Sequence, residues 1–112
     1  GTMTVKGDKG IVRNSSSTQL RMEIITANIP AGSISHFDEF NAWDYIDITF
    51  GTTFSSPPAV SLGNVVSGSI GLLNISIEDV TTTGCTIILR NFTSYDWNYP
   101  ATTYKLIAVG AE

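Results

Sequence analysis

Residues 85–92 of the chain read CTIILRNF, and this segment decides the class of fold. The side chains of a β-strand alternate between two faces, so Cys85, Ile87 and Leu89 share one face of the segment. No stretch of the sequence keeps apolar residues at helical spacing over about a dozen positions, and β-branched residues dominate. The pattern therefore predicts an all-β protein.

Six segments favour β-strands, and turn residues such as Gly and Pro separate them. They are residues 19–29, 45–50, 58–66, 72–80, 85–92 and 102–109. Strands at this spacing, with no helical crossovers between them, are typical of a sandwich. The sequence therefore predicts a six-stranded antiparallel β-sandwich.

The segment between the first two predicted strands allows two interpretations. Residues 35–44 read SHFDEFNAWD. They could form a helical turn with Ser35 as its N-cap, because Ser is a preferred capping residue. They could instead form an irregular loop that carries Phe37, Phe40 and Trp43 into the core.

The length of 112 residues corresponds to a single domain. Residues 1–18 contain glycines, a Ser triplet and few large apolar side chains, which is typical of a flexible linker or of the end of a longer segment. The first three residues, Gly-Thr-Met, are typical of a cloning scar. We therefore expect a linker at 1–18 and a β-sandwich domain at 19–112.

The composition argues against nucleic-acid binding and membrane insertion, and it predicts contacts between subunits. The chain has 6 basic and 10 acidic side chains, and a formal net charge of −4 argues against nucleic acid as a partner. No run of about 18 apolar residues is present, so no membrane insertion is expected. Only 14% of the residues are charged, and residues 48–77 contain no charged side chain. So little surface charge predicts that sister subunits cover part of the surface.

Two predicted strands carry apolar residues on both faces. Ile88 and Phe92 lie opposite the Cys85 face of their segment, and Ile107 and Val109 lie opposite Leu106 in the last segment. A sandwich strand with one solvated face should be polar on that side. These four residues are therefore candidates for a subunit interface, although a few exposed apolar residues also occur on ordinary monomers.

Three sequence motifs resemble those of H-type lectin domains and of the C-terminal head domains of phage tail fibres and receptor-binding proteins. The first combines IDITF at 46–50 with FSSPPAV at 54–60. The second is VTTTGCT at 80–86, and the third is YKLIAVG at 104–110. They occur in the family's order and cover about residues 45 to 110.

The resemblance implies a fold, an assembly and a function. It implies a six-stranded sandwich assembled as a homotrimer, without enzymatic activity, that binds bacterial surface polysaccharide. It also implies a place at the tip of a tail fibre on a virion, outside the cell, with residues 1–18 as the end of the fibre shaft. Two alternatives stay open, namely a structural cap that closes a trimeric fibre and a secreted H-type lectin.

The family's sugar site, carried over to this chain, falls in the loop at 93–100, which reads TSYDWNYP. Aromatic rings cover the apolar face of a sugar, and Asp and Asn exchange hydrogen bonds with its hydroxyls. The candidate ligand-binding residues are Tyr95, Asp96, Trp97, Asn98 and Tyr99. Trp97 and Tyr99 could instead brace the end of the sandwich. Leu72 stands where H-type lectins carry an arginine, and Arg90 either replaces that charge or makes a salt bridge.

No motif in the sequence indicates an enzyme or a cofactor. His36, beside Asp38 and Glu39, is the only candidate general base with a suitable ordinary pKa, and no nucleophile motif accompanies it. Asp38, Glu39 and Asp44 could ligate calcium, but their spacing fits no known calcium loop. The sole cysteine, Cys85, excludes an intrachain disulfide and is expected to be a small buried apolar residue. We therefore expect no catalytic residues, no metal and no cofactor.

Overall fold

The computed structural model describes residues 3–6, 9–13, 19–38 and 42–112. Within these ranges the chain forms ten strands and no helix. The strands are β1 (Met3–Lys6), β2 (Lys9–Arg13), β3 (Gln19–Ile29), β4 (Gly32–Ile34), β5 (Trp43–Thr49), β6 (Ala59–Ser67), β7 (Asn74–Glu78), β8 (Gly84–Arg90), β9 (Trp97–Tyr99) and β10 (Thr102–Ala111).

The strands form three antiparallel sheets. One has five strands in the order β1-β2-β3-β10-β6, a second has three in the order β5-β8-β7, and a third consists of β4 and β9. The all-β antiparallel prediction is confirmed, and the first predicted strand matches the bounds of β3. The strand count differs from the predicted six, because short strands also form in segments that the sequence assigns to turns and loops.

Four strands lie outside the six predicted segments. β1 and β2 fall within residues 1–18, for which a linker is predicted. They are the last two strands on one side of the five-stranded sheet, where β2 pairs with β3. β4 follows the Pro30 turn, and β9 lies in the predicted loop at 93–100. The division of the chain into linker and head stays a prediction.

The core lies between the five-stranded and three-stranded sheets. Ile25, Ala27 and Ile29 of β3 and Leu106 and Ala108 of β10 face it from one side. Cys85, Ile87 and Leu89 of β8 face it from the other, and Ile87, Leu89 and Leu106 are fully buried. Burial raises the pKa of the Cys85 thiol, so this side chain is protonated and packs as a small apolar group. Truncating one of the large core residues to Ala costs about 2–5 kcal/mol in such a core.

The segment at 35–44 forms no helix within its described residues. The Ala42 N–H donates a hydrogen bond to the Asp38 carbonyl oxygen at 3.3 Å, and Trp43 already begins β5. Phe40 and Glu39 lie outside the described residues. The expectation that Phe37 and Trp43 point into the core is wrong, because about half of each side chain is exposed.

Two charged side chains are buried at the end of the sandwich near Gly51. The Arg21 guanidinium donates a hydrogen bond to the Thr52 carbonyl oxygen at 2.9 Å and lies 4.0 Å from the centre of the Phe54 ring. The Glu23 carboxylate accepts a hydrogen bond from the Gly51 N–H at 2.7 Å. These contacts hold the loop after β5 against β3.

Candidate functional site

Three of the eight residues in the predicted ligand-binding loop form a strand, β9. β9 pairs with β4 so that Trp97 lies opposite Ile34, Asn98 opposite Ser33, and Tyr99 opposite Gly32. Alternation along β9 buries Tyr99 and leaves Asn98 exposed. The five candidate residues at 95–99 therefore do not share one face.

Asn91 organises the loop around it. Its side chain is fully buried, and its amide nitrogen lies 2.8 to 3.0 Å from the carbonyl oxygens of Ile34, Ser35 and Tyr95. Its amide oxygen accepts hydrogen bonds from the N–H of Thr93 at 2.9 Å and from the Thr93 hydroxyl at 2.6 Å. One side chain therefore ties the segment after β4 to the loop before β9.

Two of the three aromatic residues of the loop, Trp97 and Tyr99, are used in packing. Tyr99 is 4% exposed, its hydroxyl donates to the Asp44 carboxylate at 3.4 Å, and burial together with that carboxylate raises its pKa. Trp97 is half-buried and packs against the core. Its indole ring covers Gly71, where a Cβ atom would come within 2.8 Å of the ring carbon Cε2. The Tyr99 ring therefore has no free face, and the Trp97 ring is covered in part.

Asp96 is exposed but already accepts hydrogen bonds through one of its oxygens. Its Oδ1 accepts from the His36 backbone N–H at 2.8 Å and lies 2.9 Å from the His36 ring nitrogen Nδ1. The backbone N–H, followed by the ring, lowers the pKa of the Asp96 carboxyl. In this loop Tyr95, which is 70% exposed, and Asn98 point into solvent.

Arg90 lies on the three-stranded sheet and makes a salt bridge there. Its guanidinium donates to the Ser76 hydroxyl at 2.9 Å and to the Glu78 carboxylate at 3.0 Å. The Ser76 hydroxyl and then Arg90 lower the pKa of Glu78. Of its two predicted alternatives, the salt bridge is what the structure contains.

The outer face of the three-stranded sheet carries a cluster of exposed aromatic residues that the sequence analysis missed. We call this cluster the aromatic face, and it consists of Phe37, Trp43, Tyr45 and Phe92, each about half exposed or more. The Trp43 and Tyr45 rings are 5.9 Å apart between centroids, and so are those of Phe37 and Phe92. The sequence does contain a signal for this cluster, which is the alternation of aromatic and polar residues in Trp43-Asp44-Tyr45. It can be recognised only if the strand is taken to begin at Trp43 rather than at Tyr45.

Three adjoining cavities run along this outer face. The first, of about 170 Å³, is lined by Phe37, Asp38, Ala42, Trp43, Arg90 and Phe92. The second, of about 320 Å³, is lined by Trp43, Tyr45, Asp47, Asp79, Thr86 and Ile88. The third, of about 330 Å³, shares Asp47, Asp79 and Thr86 with the second and extends to Thr81 and Thr83. Because neighbouring cavities share residues, we treat them as one depression and call it the sheet groove.

The four candidate interface residues lie on opposite sides of the sandwich. Ile88 lines the sheet groove and Phe92 belongs to the aromatic face. Ile107 and Val109 lie on the outer face of the five-stranded sheet, where Ile107 is in register with Ile24. The neighbouring edge strand β6 also exposes Leu62, Val65 and Val66, which the sequence analysis did not single out.

In the described ranges, no group of three or more His, Cys, Asp and Glu side chains is arranged to hold a metal ion. Nor does any helix in that part of the chain have the length and apolar character needed to cross a bilayer.

Comparisons with known proteins identify similar structures but no family. No family model matches the chain. No curated protein sequence matches it either. The fold is similar to that of an N-truncated R1-type pyocin tail fibre, with a TM-score of 0.53 and 18% identity over 97% of this chain and 84% of the other. It is equally similar, at a TM-score of 0.53 and 18% identity, to a C-terminal fragment of the P. aeruginosa R1 pyocin fibre, of which this chain spans 27%. At this identity the likeness concerns the fold.

Proposed function

We propose that this chain is a non-enzymatic receptor-binding domain of a phage-type or pyocin-type tail fibre, which attaches a particle to carbohydrate on the bacterial surface. The observation that carries the proposal is the fold similarity to the R1-type pyocin tail fibre over 97% of the chain. The domain would then act outside the cell, at the fibre tip. The resemblance of three sequence motifs to H-type lectins and fibre heads points in the same direction.

The exposed aromatic side chains support a role in binding. Monomeric soluble proteins rarely expose contiguous apolar patches, and such patches mark interaction sites. The aromatic face combines rings with nearby carboxylates and hydroxyls, which are the groups that recognise sugars. A cap that only closes a fibre has no need for such a combination on its outer surface.

The assembly we propose is a homotrimer that uses the outer face of the five-stranded sheet. Ile24, Ile107 and Val109 form an apolar strip there. The edge strand β6 exposes Leu62 and Val65, which are in register with Leu106 and Tyr104 and so lie on the other face of the same sheet. A closed ring needs two contact patches on adjacent sides of each subunit, whereas patches on opposite faces of a sandwich propagate an open stack. The outer face at Ile107 adjoins the β6 edge of the same sheet, so these two patches suit a closed ring. Ile107 and Ile88 lie on opposite faces of the sandwich and do not.

Sedimentation equilibrium tests the assembly. We expect a species of three times the 12.0 kDa chain mass. Ile107→Asp should give a monomer, because it places a charge in the proposed interface, and the matched variant Ile88→Asp should remain a trimer. A trimer that survives Ile107→Asp but not Ile88→Asp would move the interface to the other sheet.

Binding to bacterial envelopes tests the function. Surface polysaccharide from a panel of bacterial strains, P. aeruginosa included, is immobilised, and binding of the purified chain is measured by surface plasmon resonance. We expect saturable binding to polysaccharide from some strains and none from others. Absence of binding to every preparation, with the trimer intact, would favour the structural cap.

A further inference from the structure

We infer that the sheet groove, and not the loop at 93–100, binds the glycan, and that it takes an internal stretch of several sugar units from a neutral or amino-bearing polysaccharide. The inference rests on the proposed function and specifies where and what the domain binds. It follows from four features of the groove, which are its aromatic platform, its polar rim, its length and its charge.

The aromatic platform consists of Trp43 and Tyr45. They are 49% and 54% exposed, and they lie on the same side of β5 because they are two residues apart. The strand is held by the pairing of Trp43 with Arg90 and of Tyr45 with Ile88, so the two rings stand on a hydrogen-bonded sheet. A sugar presents an apolar C–H face, and rings that are positioned in advance stack on that face with little loss of conformational entropy.

The polar rim lies directly beside this platform. The Thr86 hydroxyl donates to the Asp47 Oδ1 at 3.0 Å, which leaves the other carboxylate oxygen to accept from a ligand. Asp79 has a positive φ of 52°, a conformation that Asp tolerates better than most residues. Within the part of the chain that the structure describes, no hydrogen bond or ion pair engages its carboxylate. Both carboxylates line the same cavity as Trp43 and Tyr45, so a hydroxyl or amino group of a stacked sugar has acceptors within that cavity.

The length of the groove points to a chain rather than to one sugar. The three cavities, of about 170, 320 and 330 Å³, follow one another from Phe37 and Phe92 to the hairpin at Thr81 and Thr83. A single sugar would leave most of this surface uncovered. The aromatic end offers one sugar unit a stacking surface, and the hydroxyl-rich end offers the following units hydrogen-bond partners.

The charge of the groove selects among polysaccharides. Asp38, Asp47 and Asp79 are acidic, and the positive charge of Arg90 is paired with Glu78. A negative surface repels phosphorylated or carboxylated chains and accepts neutral or amino-bearing ones. The same carboxylates make this face a poor subunit interface, because interface cores are depleted of charge and a buried carboxylate is costly without a partner.

The test uses the polysaccharide purified from the strain whose envelope the chain binds most tightly, and three variants of the full chain. We expect Trp43→Ala to weaken binding about tenfold or more through lost stacking. Asp79→Asn should weaken it about threefold, since Asn keeps the backbone conformation but removes the charge. Tyr95→Ala, which alters a still more exposed aromatic residue in the loop, should bind as the unaltered chain does. Thermal unfolding shows whether each variant is folded. If Trp43→Ala does not fold, the comparison of Asp79→Asn with Tyr95→Ala tests the inference.

The alternative outcomes separate the inference from the proposed function. Loss of binding in Tyr95→Ala, with binding kept in Trp43→Ala and Asp79→Asn, would overturn the inference and leave the function standing. Absence of binding by the unaltered chain would overturn the function itself. Fragments of the polysaccharide sorted by size should bind more tightly as they lengthen, and a single sugar that binds as well as a long fragment would contradict the extended groove. Preferential binding of a polyanion such as hyaluronan would contradict its charge selectivity.

Discussion

The loop at 93–100 and the outer face of the three-stranded sheet contain similar residues but use them differently. The loop has three aromatic residues and an aspartate within five positions, yet Tyr99 is buried, Trp97 covers Gly71, and Asp96 is bound to His36. The sheet brings its aromatic residues together from separate segments and leaves them exposed. A high density of ligand-binding residue types in sequence therefore does not indicate that their side chains are available.

The physical cause is the way in which each region is held. A loop at the end of a sandwich must satisfy its own backbone and close the core, so groups such as Tyr99 and Asp96 are engaged in those contacts. A strand obtains its hydrogen bonds from its neighbours, and alternation sends every second side chain outward whether or not it is apolar.

The contrast between Tyr99 and Tyr45 should give the largest difference in stability. We expect Tyr99→Ala to lower the free energy of unfolding by about 3 kcal/mol or more, because it opens a cavity in the core. Tyr45→Ala, on the exposed face, should lower it by less than about 1 kcal/mol. Chemical denaturation of both variants measures the difference. Equal losses would mean that the aromatic face is structural.

Asn91→Ala should destabilise the loop anchor by about 2–3 kcal/mol, because it leaves buried carbonyl groups without a donor. Its matched control is Asn98→Ala, which removes an exposed amide from the same region. Denaturation curves measure the loss, and amide hydrogen exchange should become faster at 93–96 than in β8. If Asn91→Ala is as stable as Asn98→Ala, the loop is held by other contacts.

Gly71→Ala should cost about 1–2 kcal/mol, because φ at this position is 64° and a Cβ atom would press on the Trp97 ring. A double-mutant cycle with Trp97→Leu separates the two causes. If the ring contact contributes, Gly71→Ala will cost less in the Trp97→Leu background. A cost that is identical in both backgrounds would assign the whole effect to the backbone.

The smallest effect concerns the pKa of Asp96. Its carboxyl should titrate below the ordinary aspartate value, and NMR titration of the side-chain carbon measures this midpoint. Because the pKa is lowered in the folded state, the interaction with His36 stabilises the fold fully at pH values above the ordinary aspartate pKa. This contribution is lost as the pH falls through the lowered pKa. His36→Ala should raise the midpoint only in part, because the backbone N–H at position 36 remains. A full return to the ordinary value would assign the effect to the imidazole ring.

Much of the fold could be predicted from local patterns. The bounds of β3, the inward Cys85, Ile87 and Leu89, and the antiparallel arrangement all follow from alternation and from turn residues between strands. Predictions that depended on a strand boundary were less successful. The predicted strand began at Tyr45, so Trp43 was assigned to a loop and expected to point inward. In the structure β5 begins two residues earlier, at Trp43, and strand alternation places Trp43 on the outer face with Tyr45.

The candidate site illustrates the same limit. The salt bridge of Arg90 was one of two predicted alternatives, because a lone charge on a half-buried strand tends to pair with a neighbour. The role of Asn91 could not be predicted, since its partners lie as far as 57 positions away in sequence. Nothing local in the sequence distinguishes an amide that binds a ligand from one that anchors a loop.

The all-β class and the inward face of β8 could be read from the period of apolar residues along the chain, and the antiparallel sheets from the spacing of the strands without helical crossovers. Which aromatic residues are exposed, and on which side of the sandwich each apolar strip lies, became visible in the three-dimensional structure alone. Those properties depend on how distant segments pack together. Strand pairing brings Trp43 beside Arg90 and Tyr45 beside Ile88, and no local pattern contains that information.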